Sequence, residues 1–256
     1  MKFAVRLISS IFAAAALVGC GSRSEDRFSK VAIPDENRVD VEFRRLDKEL
    51  TGMNYANSAS EFAKLKDAYA AEDSSDMNFL DIYTEAVLNI GNVDQMETRN
   101  IIQKFATGKP YCEFFQDADS VFPDMSAEKH ELDNAFSILK TNLPDMNVPK
   151  QYVAIVSGFY SNVLCTKSRL GFSLEYYLGA NYANYKYVDG LYDYMICNYR
   201  REKLVSDGVF CWLSTEYEFK ESAPTLLQKI NLVQAMQLSF RSDNLVSVNY
   251  PKLDSI

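Results

Sequence analysis

The sequence holds a single histidine, His130, in 256 residues. A histidine-based zinc site takes two or three imidazoles, so HExxH-type metal chemistry cannot be written in this chain. A Ser-His-Asp triad would have to use His130, which falls on the charged side of an amphipathic segment, and no GxSxG elbow accompanies it. His130 therefore reads as a solvated helix residue. No two of the five cysteines stand at CxxC spacing, which removes zinc-ribbon and thioredoxin readings. Basic clusters are missing too: 27 Lys and Arg face 35 Asp and Glu, a net charge of −8. That balance argues against nucleic acid and against electrostatic adhesion to anionic lipid. There is no internal repeat, and no second apolar run approaches membrane-spanning length.

The one apolar run that does stand out opens the chain, in MKFAVRLISSIFAAAALVGC. Lys2 and Arg6 form a basic start, and the short apolar stretch that follows suits a secretory signal rather than a mature span. It ends in Leu17-Val18-Gly19-Cys20, the pattern of a bacterial lipobox. The expectation is a lipoprotein signal peptide over 1–19 and lipidation at Cys20, the palmitate-type acylation that gives stable anchoring when more than one chain is attached. Residues 20–37 are polar and charged and read as a tether. Removing 1–19 takes two bases and no acid, leaving 25 against 35, or −10. Cys112, Cys165, Cys197 and Cys211 remain. In the oxidising envelope they allow three pairings, although a domain of this size does not need staples and the thiols also suit small buried hydrophobes.

Residues 38–256 read as one α+β domain, mostly helical with a small antiparallel sheet. Alternation over 39–43 (VDVEF) predicts the opening strand. Helical stripes follow over SEFAKLKDAYAAE, over MNFLDIYTEAVLNIG with Gly91 as its stop, and over 95–105. Ser126 is placed as the N-cap of a helix in SAEKHELDNAFSILKTNLP, with Pro144 just beyond its end. The apolar run 152–157 predicts a buried strand, paired with 162–165 as a hairpin across GFYS. Helices are expected again at 191–199, at 204–219 and after Pro224.

Candidate sites are few. Asp117, Asp119 and Glu128 imitate positions one, three and twelve of an EF-hand loop, but Phe122 occupies the place of the required glycine, and a helix-capping loop is the better reading. No metal and no cofactor is expected. GFSLEYYLGANYANYKY, residues 171–187, carries five tyrosines and one acid. Glu175, with Asp189 or Asp193, could be argued as a glycosidase pair among rings that stack on sugars. Nothing fixes such a pair in place, so half-buried packing of amphipathic rings is the stronger reading.

Within that stretch Leu174-Glu175-Tyr176-Tyr177-Leu178-Gly179 resembles the LDxYLG motif of the gliding motility lipoprotein GldB family of Bacteroidota, with Glu175 where the family has Asp. VDVEFRRLDKEL is similar to the family's opening strand and its RFD segment, with Arg45, Leu46 and Asp47 at those positions. YVAIVSGF and LVSDGVFCWL follow in the family's order. The segment after TLLQKI departs from it, ending early and irregularly, which suggests a truncated C-terminus. The resemblance implies a degenerate gluzincin-like scaffold, distantly related to predicted zinc-dependent peptidases, without the metal motif. It also implies a non-catalytic outer-membrane lipoprotein facing the periplasm, with surface or inner-membrane placement as alternatives. Such a protein would bind an envelope protein or glycan in motility- or secretion-associated machinery, through Glu175, Tyr176, Tyr177, Tyr182 and Tyr185. The rival reading is an envelope hydrolase using Glu175 or the nearby aspartates.

Overall fold

A computed structural model of the chain describes residues 32–70 and 77–216. The expected signal peptide, Cys20, the helix after Pro224 and the irregular C-terminus lie outside the described residues, as does most of the expected tether. Described residues from Ile33 onward belong to one compact unit.

The sheet forms from β1 (Glu42–Arg45), β2 (Gln151–Ile155), β3 (Val163–Cys165) and β4 (Arg169–Ser173), in the order β1-β2-β4-β3. β1 and β4 both run parallel to β2, with Glu42 opposite Gln151 and Gln151 opposite Arg169. Only β3 runs antiparallel, with Leu164 opposite Gly171. The expected antiparallel sheet is thus corrected to a mixed, mainly parallel one. The reason lies in β2 and β4: every residue of both is buried, and strands apolar on both faces take central places between helices. The hairpin expected between 152–157 and 162–165 is corrected as well. Gly158 and Phe159 both take φ of 69° and turn the chain away from β2. β3 pairs instead with β4 across a tight turn in which Thr166 N–H donates to Arg169 O at 2.9 Å.

Between β1 and β2 the described residues include α1 (Leu46–Thr51), a 3₁₀ turn (Tyr55–Asn57), α2 (Ser58–Ala68), α3 (Phe79–Asp81, continuing as a π-helix over Ile82–Val87), α4 (Met96–Thr107), α5 (Cys112–Val121) and α6 (Ser126–Asn142). Ser126 is the first helical residue rather than the cap. Asp124 Oδ1 accepts its N–H at 2.9 Å, so the acceptor side chain stands two residues earlier than expected. α5 replaces part of the expected loop: Phe115 and Ala118 bury one helical face, so Asp117 and Asp119 are helix residues. After β4 come 3₁₀ turns over Leu174–Tyr177 and Ala183–Tyr187, then α7 (Asp193–Ile196), far shorter than the expected 191–199, and α8 (Leu204–Glu216). Among the described residues no helix is long and apolar enough to cross a membrane.

Two contacts join these layers. The guanidinium of Arg45, ending β1, makes a two-pronged pair with Asp47 (2.8 and 2.6 Å) and donates to Phe122 O at 2.6 Å. Asp47 is 2% exposed, so the pair ties β1 and α1 to the end of α5 with its charge neutralised inside the protein. α8 packs on β3, β4 and α6. Its Trp212 meets Phe136 edge-on at 6.2 Å and donates from Nε1 to Asn147 O at 2.9 Å. Gly208 permits the approach: a Cβ there would stand 2.6 Å from Phe172 Cζ.

Two substitutions test these contacts by chemical denaturation. Gly208→Ala should lower stability by about 1–3 kcal/mol through overpacking, and an unchanged midpoint would show that Phe172 can yield. Asp47→Ala should cost about 3–5 kcal/mol, because it strands a guanidinium inside the protein.

Candidate functional site

β4 delivers the chain into the 3₁₀ turn Leu174–Tyr177, whose four residues are all buried. Glu175 is fully buried, and its Oε1 accepts three donors: Ser157 N at 2.7 Å, Ser157 Oγ at 2.6 Å and Phe159 N at 3.1 Å. Its Oε2 has no hydrogen-bond partner. Burial drives the carboxyl's pKa upward, and the Ser157 and Phe159 donors oppose the shift. The neighbouring hydroxyls close the same knot. Tyr176 donates to Phe159 O at 2.6 Å, Tyr185 donates to Glu175 O at 2.9 Å, and Leu178 N donates to the Tyr185 oxygen at 3.2 Å.

Around the knot the rings pack mainly edge to face. Phe159 meets Tyr176 at 5.2 Å and Tyr185 at 5.9 Å, and Tyr199 meets Tyr176 at 5.1 Å and Tyr185 at 5.3 Å. Tyr182 lies 4.9 Å from Tyr185 and donates its hydroxyl to Asp117 on α5. Gly179, with φ of 108°, ends the turn in a conformation that glycine tolerates best, and its N–H reaches Tyr199 O at 3.0 Å.

On the outer side of this cluster opens a cleft of about 760 Å³, walled by Tyr176, Tyr194 and Tyr199 and bounded by Asn162, Asp207 and Cys211. Among the described residues Asp207 is its one carboxylate. Tyr177 donates to Asp207 Oδ2 at 3.2 Å from behind. Burial lifts the Asp207 pKa from its ordinary 3.8 to about 6, against the pull of Tyr177, Lys203, Asn162 and Ser206. Such a lining offers ring faces and edges plus a few hydrogen-bonding groups, the mix of a recognition site.

Of the five expected site residues, only Tyr176 lines the cleft. Tyr177 reaches it through Asp207, while Glu175 and Tyr185 form the knot behind it and Tyr182 is half-buried against Tyr185, outside the cleft lining. Asp189 and Asp193 are exposed and stand outside the cleft lining, as does Glu175. Asn162, Tyr199, Asp207 and Cys211 escaped the sequence reading. The available signal was Asp207 beside Gly208 and four residues before Cys211, an acid on the packed face of an otherwise apolar helix. His130 is exposed, Asp119 pairs with Lys48, and Glu128 pairs with Arg201. Among the described residues no group of three or more His, Cys, Asp or Glu is placed to hold a metal ion.

Comparison with known proteins matches residues 28–236 to the family described as gliding motility protein GldB. No curated protein and no solved structure matches the chain.

The raised Asp207 pKa gives a pH signature. The folded state holds this proton more tightly than the unfolded state does. Its stabilising contribution is therefore complete below about pH 4 and is lost as pH rises through about 6. Relative to Asp207→Asn, the native protein should lose about 1–3 kcal/mol of stability between pH 4 and pH 7. Denaturation midpoints across that range check it, and a flat difference would contradict the shift.

Proposed function

We propose, from the premise that this chain belongs to the gliding motility protein GldB family, that it is a lipid-anchored envelope protein that captures a partner in the Tyr176–Tyr199–Asp207 cleft without transforming it. Acylation at Cys20 would supply the anchor, and an outer-membrane position facing the periplasm is what the family resemblance implies. The peptidase-like ancestry implied by the resemblance would then survive as a scaffold only. The observation that carries the reading is the cleft lining: three tyrosine rings and one carboxylate. Glycoside hydrolysis uses two carboxyl groups flanking the bond, whereas Asp207 stands without a second acid among the lining residues. Glu175, the acid favoured by the hydrolase reading, is turned inward and its Oε1 is engaged by three donors. Its role is to position the family motif.

The test is a set of variants returned to a strain deleted for the native gene, scored for surface spreading and for crosslinked partner, with folding checked by circular dichroism. Tyr199→Ala and Asp207→Asn should reduce partner capture roughly tenfold or more, in the manner of binding hot spots. Glu175→Gln, which keeps a carbonyl oxygen for the Ser157 and Phe159 donors, should leave capture within about twofold. Normal capture by both cleft variants would overturn the cleft assignment. A hydrolytic activity abolished by Glu175→Gln with binding retained would overturn the non-catalytic reading. Cys20→Ala should release the protein from membranes and end palmitate labelling; continued labelling would contradict the anchor.

A further inference from the structure

The thiols of Cys165 and Cys211 lie 2.7 Å apart, although the residues are 46 positions apart in sequence. Cys165 ends β3, one of the two edge strands of the sheet. Cys211 lies in α8, on the stretch that Gly208 allows down onto β4. Both are half-buried, and Cys211 lines the cleft, so a reagent has a route to the pair. The chain between them carries the family motif and most of the cleft wall, including Tyr176, Tyr194, Tyr199 and Asp207. We propose that Cys165 and Cys211 are a disulfide-forming pair whose bond closes the chain around the cleft and staples α8 to the sheet edge.

The chemistry follows from the contact between the two sulfurs. Cys211 lines the cleft, so it is the thiol that a donor disulfide reaches. As its thiolate, Cys211 is the attacking group. It displaces one sulfur of a donor disulfide, such as that of an envelope thiol oxidase or oxidised glutathione, and forms a mixed disulfide. Cys165 then loses its proton and attacks Cys211, forming the internal S–S bond and expelling the second donor thiolate. In sum, two protein thiols are oxidised to one disulfide, and the donor disulfide takes their two electrons and two protons to become a pair of thiols. In a cell this rests on the envelope location proposed above, where such donors operate.

Two arms separate the pairing from the location. In the first, the purified reduced full-length chain is exposed to oxidised glutathione, alkylated and mapped by mass spectrometry. The expected result is a peptide linking Cys165 to Cys211, with Cys197 and Cys112 still alkylated. The melting temperature should fall by roughly 5–15 °C on reduction. Cys165→Ser and Cys211→Ser each abolish the linked peptide, while Cys197→Ser leaves it intact. No linked peptide, or a link through Cys197 or Cys112, overturns the proposal. In the second arm, cells are acid-quenched before alkylation. A bond already present supports both the pairing and the location. A chain that closes the bond when purified but carries free thiols in cells supports the pairing and overturns the envelope reading.

Discussion

The Glu175 carboxylate governs how the two halves of the chain meet. β2 ends in a turn whose Phe159 takes a φ of 69°, a conformation that costs about 1–2 kcal/mol in a residue with a Cβ. That turn has no strand partner to hold it. It is held from the motif after β4: Glu175 accepts the Ser157 and Phe159 N–H groups, and Tyr176 donates to the Phe159 carbonyl. Two consecutive residues of one segment thus satisfy both backbone groups of a residue in another. Because Ser157 is fully buried, losing the acceptor would leave its amide without water or partner, at about 1–3 kcal/mol. The acid is conformational glue, and burial raises its pKa for the same reason that it serves: water is excluded from the knot.

The knot determines where the rings stand. With Phe159 fixed, its ring becomes a surface for Tyr176 and Tyr185, and Tyr199 then packs against both of those. The inner faces of this cluster are core and its outer edge is the cleft wall, so one set of rings does both jobs. On the other side the cleft depends on α8, which reaches the sheet only because Gly208 leaves room for Phe172. Position 208 therefore decides both the packing of α8 and how near Asp207 and Cys211 come to the motif.

Much of the helical layout was legible because it repeats a face every 3.6 residues: Phe62 and Leu65, or Leu132, Ala135, Phe136 and Leu139, are buried as their spacing implies. Strand partners were not legible. An apolar run such as 152–157 states that it is buried but not which neighbour it takes, and the decisive facts were the turn at Gly158 and a fourth strand, Arg169–Ser173, hidden in an apolar-aromatic stretch. The tyrosines illustrate the same limit at the site. Composition marked 171–187 as unusual, yet it could not separate Tyr177 and Tyr185, both nearly fully buried, from Tyr187, 74% exposed. The cleft residues came from four separated parts of the chain, Asn162, Tyr176, the stretch 194–199, and Asp207 with Cys211, and no local pattern announces a meeting of that kind.

The position of the acids also bears on why a motif can mark a family without marking chemistry. Glu175 belongs to the family-like motif but touches only the protein, whereas Asp207 touches the cleft and belongs to an ordinary-looking helix. A motif residue that bonds three donors inside the core is constrained by geometry, and that constraint holds whether or not anything is bound outside. The resemblance places Asp at the position of Glu175. The longer side chain here brings Oε1 to all three donors but leaves Oε2 without one, so the knot tolerates an extra methylene at the expense of one unsatisfied oxygen. A catalytic acid would be held to tighter limits, because its reach to a reacting atom would change with that methylene. The substitution therefore agrees with a positioning acid. It places the chemistry available to the outside on the surface that the motif holds in place, not on the motif itself.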